Sequence, residues 1–513
     1  MRKIASSLVL SAVIALAVPS SAFADDTEEF IQAVNTFKAG NYPDAARAFY
    51  EMASGPKSPT QQQAEFYLAE CLLQMKLLES AFYFYGQIVK AGPNHPKYAD
   101  SLVGLVKVDE QLRDDALIPS ILNREYDRAN EAMGGKDFPP DALLKINYLV
   151  GRVTYEKGKL NDAISFLDTV TPDSTYYARA LYLKGVVLGR MNNRQDNLKA
   201  LAAFEKELEL KNDKVKYIDF DDIHDLSLLG AARVAYGNGD YAKSVQYYES
   251  VPRFSTYWDS ALFENGWARF QNEDLGGALG SLQALHAPQF EGSFQPESWI
   301  LTATTYFFSC LYDETKFALK SYEDIYLPMA QQIKPILEGD HDLEFYAHLL
   351  DDNNADKLPK PVRNYLLANN RLQGFLNFLH QLDNEKGQIE AVQAWRSSPM
   401  SAELEQAVDQ QRQVLVQVTG QFIKKRLAED VVAPINGFEG QVAIIRFETT
   451  KKEKEILEAN VNIGDRLNQQ KILRPAMPGE AWDYWAFQGE FWIDEIGYYQ
   501  YTLKSGCVKP ANE

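Results

Sequence analysis

Cysteine is scarce in this chain: Cys71, Cys310 and Cys507 are the only three among 513 residues. Three scattered thiols build neither a disulfide framework nor a four-ligand zinc site. Histidine is thin too, with six residues, and none stands in a His-Glu-x-x-His spacing; His341 and His348 come nearest, with Asp342 and Glu344 beside them. Positive charge is in deficit, 52 Lys and Arg against 71 Asp and Glu, for a formal net charge of −19. A surface this acidic argues against nucleic acid or anionic lipid as the main partner. Long apolar runs are missing after the first two dozen residues, so no later segment offers the ~20 residues that cross a bilayer. The chain also lacks a Gly-x-Ser-x-Gly elbow, a phosphate-binding loop and a dinucleotide fingerprint. No catalytic residue, metal ligand or cofactor is assigned, and the sequence reads as non-catalytic.

What is present begins at the N-terminus. Met1-Arg2-Lys3 is a positive lead, Ile4 to Val18 an apolar stretch broken only by serines, and Ala22-Phe23-Ala24 an A-x-A site. That is the layout of a secretory signal, with cleavage expected after Ala24 and a mature chain from Asp25. Removal of Arg2 and Lys3 makes the chain still more acidic. The first cysteine, Cys71, lies far from the apolar run, so no lipid anchor is expected on the new terminus. A bacterial periplasm is the expected compartment.

Past the signal, one spacing recurs. It reads Leu228-x3-Ala232-x3-Tyr236-x2-Gly239-Asp240-Tyr241-x2-Ser244-x3-Tyr248-x2-Val251-Pro252, and again from Gly151 through Tyr155, Gly158, Ala163 and Leu167 to Pro172. Near the mature start it is Ala33-x3-Phe37-x2-Gly40-Asn41-Tyr42-x2-Ala45-x3-Phe49. Further copies carry Ala69, Leu73, Ala81 and Tyr85; Gly266, Phe270, Ala278 and Leu282; and, more weakly, Ala303, Phe307, Tyr312, Thr315 and Leu319. Small residues at Ala33, Ala69, Gly151, Gly185, Ala232 and Gly266 let a first helix approach its neighbours. Ala45, Ala81, Ala163 and Ala278 do so on a second helix, and Phe49, Tyr85, Leu167, Phe204 and Tyr248 fill the space between. Gly40, Gly158 and Gly239 permit a tight turn, Asn41 and Asp240 can cap the next helix, and Pro56, Pro93, Pro172 and Pro252 stop it.

The pattern departs from itself in places. Extra residues enter between Met191 and Asn197, and Pro119 falls inside an expected second helix. The acidic run Asp219, Asp221, Asp222 and Asp225 lacks the central glycine and closing glutamate of a calcium loop, and reads as a solvated linker capping the next helix.

This spacing resembles the tetratricopeptide repeat, over Phe30 to about Tyr326. The resemblance implies an all-α solenoid of helical hairpins whose first helices line a concave groove that takes segments of other proteins. In that frame the groove residues are Tyr148, Arg152, Tyr155, Arg179, Tyr182, Arg233, Tyr236, Phe263, Trp267 and Phe270. Arginines and aromatics carry most interface energy, and inter-helix packing calls for neither charge nor indole at Arg152, Arg233 and Trp267. Several of the aromatics also fit a plain packing role. The expected partner segment is acidic or aromatic.

The expected domains are a signal at 1–24, the solenoid at 25–330, a helical connector at 331–398, a helical hairpin at 399–462 and an aromatic cap at 463–513. Leu404, Val408, Leu415, Val418 and Phe422, with Gln411 in the missing slot, follow a coiled-coil spacing. Pro434 and Asn436-Gly437 are expected to turn that helix back on itself; a plain helix pair on the last repeat is the other reading. The closing stretch holds Trp482, Tyr484, Trp485, Phe487, Phe491, Trp492, Tyr498, Tyr499 and Tyr501. It reads as a lid on the exposed end of the solenoid, with sugar stacking as the alternative. Cys310, at the turn of the last repeat, and Cys507, in that lid, are the expected disulfide in an oxidising compartment, leaving Cys71 buried.

Tyr257-Trp258-x2-Ala261-Leu262-x2-Asn265-Gly266-Trp267 and Gly489-Glu490-Phe491-Trp492-x-Asp494-Glu495-x-Gly497-Tyr498 are loosely similar to large periplasmic repeat proteins of gliding and predatory bacteria. That resemblance implies a scaffold binding protein partners of the cell envelope, with motility machinery as one setting. The alternatives are a glycan-binding protein of polysaccharide export and, behind it, a glycan-acting enzyme.

Overall fold

The computed structural model describes residues 20–112, 117–211, 216–396, 398–458, 491–503 and 507, with side chains from residue 27. The apolar N-terminal stretch, and Trp482, Tyr484, Trp485 and Phe487, lie outside the described residues. Among those described the regular structure is helix throughout, with no strand.

The helices follow one another as the repeat spacing requires. In chain order they are α1 (Ser20–Lys38), α2 (Tyr42–Ala53), α3 (Pro59–Gln74), α4 (Leu78–Ala91), α5 (Tyr98–Leu112) and α6 (Leu117–Met133). Next come α7 (Pro140–Glu156), α8 (Leu160–Leu167), α9 (Tyr177–Arg190), α10 (Arg194–Leu208), α11 (Phe220–Gly237) and α12 (Tyr241–Ser250). Then follow α13 (Trp258–Gln271), α14 (Leu275–Leu285), α15 (Glu297–Phe308) and α16 (Tyr312–Glu338). The remainder are α17 (Leu343–Ala347), α18 (Lys360–Leu367), α19 (Asn370–Ala391), α20 (Pro399–Arg426) and α21 (Ala433–Glu458). The expected cleavage site after Ala24 falls within α1.

Within the helical pairs the chain reverses through one left-handed residue: Gly40, Lys76, Gly158, Asn192, Gly239, Glu273 or Cys310, with φ between 51° and 80°. Each stands two residues before the second helix begins. Glycine takes this conformation freely, whereas a side chain there costs about 1–3 kcal/mol. The next residue caps where it can: Asn193, Asp240 and Asp274 accept from the backbone N–H three residues on. Asn41 does not; its amide donates to Asp44 at 2.7 Å.

Across each pair the small residue of the first helix meets the large one of the second. A β-carbon on Gly151 would stand 3.2 Å from Leu167, one on Gly185 2.6 Å from the Phe204 ring, and one on Gly266 3.2 Å from Leu282. Ala69, Ala232, Ala45, Ala81, Ala163 and Ala278 are fully buried. The departures from the spacing resolve as helix. Extra residues after Asn193 lengthen α10 at its start, and Pro119 sits in the first turn of α6, where no intrahelical N–H is lost. Asp219 precedes α11, while Asp221 and Asp222 occupy its first turn, where they favour the helix dipole.

The chain divides into two compact units, which differ from the sequence-derived bounds. The first comprises Met1–Val108 and Asn384–Val408, the second Asp109–Asp383 and Asp409–Glu513. In the first unit, Phe30, Phe49 and Tyr67 form an aromatic knot around α1 to α3. Trp395, fully buried, donates its indole N–H to the Pro43 carbonyl at 2.8 Å, and Glu403 accepts from the Tyr50 hydroxyl at 2.7 Å.

In the second unit, α7–α8, α9–α10, α11–α12, α13–α14 and α15–α16 stack in sequence. The solenoid boundary expected at 330 falls inside α16, which continues through Pro328 and Pro335. Two further expectations are corrected here. No hairpin forms at Pro434 and Asn436-Gly437: α20 passes through a π-helical turn, Leu427–Val432, directly into α21. Pro434 is tolerated because it enters just behind that turn, where the hydrogen-bond ladder is already shifted. The apolar stripe also leaves the coiled-coil spacing, since Val418 is 41% exposed while Thr419, Ile423, Leu427 and Val431 are buried. Gly420 meets the Leu343 backbone of α17, and Phe422 meets Phe375 of α19, in place of a returning helix.

The second correction concerns the end of the stack. It is α21 that packs on α15 and α16, through Tyr322 donating to the Ile435 carbonyl at 2.6 Å and ion pairs Lys316–Glu453 and Arg446–Glu323. The described part of the aromatic stretch instead lies along α14, with Ile496 fully buried among Trp258, Leu262 and Leu285.

Candidate functional site

The first helices α7, α9 and α11 lie side by side, as do α13 and α15. Their shared face carries the residues singled out from the sequence. All but Arg179 sit within about a turn of the small residue that lets their helix approach the next, so the repeat period itself brings them into neighbouring rows.

On α7, Tyr148 is buried and stacks on Tyr176 with centroids 4.9 Å apart. Arg152 is half-buried, and the Tyr155 ring lies under the Arg190 guanidinium at 5.3 Å. On α9, Arg179 pairs with Asp219 and lies 5.7 Å over Tyr176. Tyr182 leans on Phe204; burial pushes its phenol up to about 12, against the pull of Arg233. On α11, Arg233 makes a two-pronged pair with Glu264 of α13, at 2.7 and 2.6 Å, and is 54% exposed at its side chain. Tyr236 packs edge-on against Tyr241. On α13, Trp267 meets Phe270, and Phe270 meets Phe308.

Tyr182 thus stands between its neighbours, within electrostatic reach of Tyr148 and Tyr155 of α7 and of Arg233 of α11. Phe263 belongs elsewhere: it packs against the Trp258, Leu285 and Ile496 cluster. The arginines at Arg179 and Arg233 are matched by carboxylates of this same chain. The face is therefore a run of phenols and internally neutralised guanidiniums, not a positive strip.

Sequence reasoning missed the partners Asp219 and Glu264. A signal existed, because Glu264 follows Arg233 by 31 residues, one repeat less one helical turn. Such pairs give hydrogen-bond donors and acceptors that an extended main chain can use, while the phenol rings give flat apolar area. His341 stacks on Phe345 at 3.9 Å and His348 pairs with Asp351 at 2.8 Å. Among the described residues no group of three or more His, Cys, Asp or Glu could hold a metal ion.

The sulfurs of Cys310 and Cys507 lie at bonding distance, 2.01 Å, and Cys71 is buried and free. Cys310 occupies the left-handed slot of the last turn, which glycine fills in other pairs.

No protein-family model matches the chain, and no curated protein does. A tetratricopeptide repeat protein of known structure from Parabacteroides merdae is similar over 52% of this chain and 93% of its own, at 14% identity and a TM-score of 0.32. The APC/C hetero-tetramer Cut9–Hcn1 is similar over 88% of this chain and 91% of its own, at 10% identity and a TM-score of 0.23. Similarities this low say nothing about function. The left-handed residue at the inner turns, and the small residues set against large ones across the pairs, make the described residues a solenoid of helical hairpins.

Proposed function

We propose that this protein is an exported, non-catalytic scaffold that holds extended segments of cell-envelope proteins against the shared face of α7, α9, α11 and α13. The observation that carries the reading is the placing of Tyr155, Tyr182 and Arg233, none of them buried, on three successive first helices, with Tyr182 in reach of the other two. Aromatic and guanidinium groups at the centre of a face are what hot spots are made of. The Glu264 partner refines the expected ligand: a segment that bonds to an ion pair needs both a donor and an acceptor, which a peptide backbone has. Export rests on the N-terminal pattern, and terminal sequencing of protein from the periplasm should begin at Asp25; recovery of Met1 would refute it. Motility machinery is a narrower setting, drawn from the sequence resemblance alone.

The test compares Arg152→Glu plus Arg233→Glu with Lys424→Glu plus Lys425→Glu, capturing partners from envelope extract. The first pair should abolish capture; because Arg233→Glu sets a carboxylate against Glu264, its melting temperature should fall by a few degrees, and capture is compared where both variants are folded. Loss in the second pair alone would place docking on α20 instead. A second reading, glycan binding, is favoured by Trp492 and Tyr498, which are 53% and 63% exposed; binding to a panel of envelope polysaccharides that disappears in Trp492→Ala would support it.

A further inference from the structure

Residues 491–503 follow no helical or strand pattern, yet they are held at defined points. The Tyr501 N–H donates to the Gly276 carbonyl at 3.1 Å. Arg253 donates to the Ile493 carbonyl at 2.5 Å and lies over the rings of Trp258 and Tyr498. Ile496 enters a pocket of Trp258, Leu262 and Leu285. Beneath them α14 is bare at two positions one turn apart. A β-carbon at Gly276 would strike the Tyr501 carbonyl, and one at Gly280 the Tyr499 carbonyl. The main chain of another segment thus rests directly on the helix.

The segment does not fill the space it covers. A cavity of about 250 Å³ remains between it and α12 to α14, lined in part by Tyr248, Arg253, Asn265 and Arg269. Asn265 is 6% exposed, and its side-chain carbonyl oxygen has no hydrogen-bond partner. An acceptor on the wall of an unfilled cavity is open to a donor that enters that cavity.

We propose that the channel over α14 is a second docking groove for an extended protein segment, that residues 491–503 are its resident occupant, and that the Cys310–Cys507 bond decides whether an outside segment can replace them. The replacing segment carries an aliphatic residue at the Ile496 position and, beside it, a side-chain donor for Asn265. While the disulfide holds, the tethered segment competes at an effective concentration that a free one does not match. A dithiol reductant opens the lock. Its thiolate attacks the exposed Cys507 sulfur and Cys310 leaves as thiolate; the reductant's second thiol then resolves the mixed disulfide. Two electrons pass to the pair, and both cysteines end as thiols. This groove shares α13 with the face of first helices but is lined by none of Tyr155, Tyr182 and Arg233, so either site can fail without the other.

The experiment measures fluorescence anisotropy of a labelled peptide, Phe491 to Leu503, against the full chain. A chain carrying Ile496→Asp, which weakens its own strap, should bind the peptide at least tenfold more tightly when reduced with a dithiol than when oxidised. Cys507→Ser on that background should bind it tightly in both conditions. A peptide with Ile496→Asp should not bind in any case, a control that leaves the protein's fold untouched. Equal binding by the oxidised and reduced chains, or no binding by the reduced one, would overturn the proposal.

Discussion

Ser80 gives both its N–H, at 2.7 Å, and its hydroxyl, at 2.6 Å, to the carboxylate of Glu385, 305 residues further along the chain. The Glu79 N–H adds a third bond at 2.9 Å. α4 has no capping side chain of its own before it, since Leu77 stands at that position. Glu385 therefore caps α4 from a distant stretch of sequence, and burial pushes its carboxyl upward while these bonds hold it down. Glu385→Ala strands buried N–H groups and should cost about 2–4 kcal/mol. Glu385→Gln should cost less. Urea unfolding of the three proteins at neutral pH gives the order directly, and an Ala variant as stable as the parent would remove the cap from the account.

Glu207 makes stability depend on pH. It is fully buried on α10, with His224 of α11 at 3.7 Å, and burial raises its carboxyl from 4.5 to about 7. The folded chain thus holds the proton more tightly than the unfolded one does. The associated stability is complete below about pH 4.5 and is lost as pH rises through about 7. Relative to the parent, Glu207→Gln should gain on the order of 1–3 kcal/mol between pH 4.5 and pH 8. Melting curves across that range read the difference; parallel curves would contradict it.

Phe204 is held between two glycines, Gly185 on α9 and Gly230 on α11, its ring within 2.6 Å of where a β-carbon on either would stand. The ring cannot swing away, being 1% exposed. Gly185→Ala should destabilise by about 1–3 kcal/mol even though alanine is the better helix former. A rise in melting temperature would show that propensity wins.

Peptide mapping without reductant should recover Cys310 linked to Cys507. Cys71, whose thiol burial pushes upward, should resist alkylation until the chain unfolds. Freely alkylated Cys310 and Cys507 in protein from an oxidising compartment would refute the link.

The helical pairs were legible because their signals are local and repeated. Gly158 or Gly239 marks a turn, and an alanine or glycine four residues before an aromatic marks a close approach. The same code was unreadable at Lys76, Glu273 and Cys310, where a side chain accepts the left-handed turn that glycine usually advertises. Glu385 could not be foreseen as a cap, since nothing in its own neighbourhood mentions α4. The face of first helices was legible as residue types but not as charges, because Arg233 looks free until Glu264 is set opposite it. Pro434 and Asn436-Gly437 misled for a different reason: they are breakers in an α-helix, but the π turn just before them had already shifted the ladder.

That π turn has a consequence for how this protein can change by insertion and deletion. Between Thr419 and Ile435 the buried side chains advance by four residues each time, and an α-helix overshoots one face by about 40° at every such step. The wider turn at Leu427–Val432 absorbs the error and acts as a phase corrector between two rods. Removing a single residue there would leave an unbroken α-helix with everything beyond still in phase, whereas removing one residue from the regular helix on either side would rotate everything beyond by about 100°. In that second case Val442 and Thr449 would swing out of their buried positions, and Lys451 and Lys452 would point along a new meridian. The stretch Leu427–Val432 is thus where the rod of α20 and α21 can lose one codon without changing the azimuth of α21.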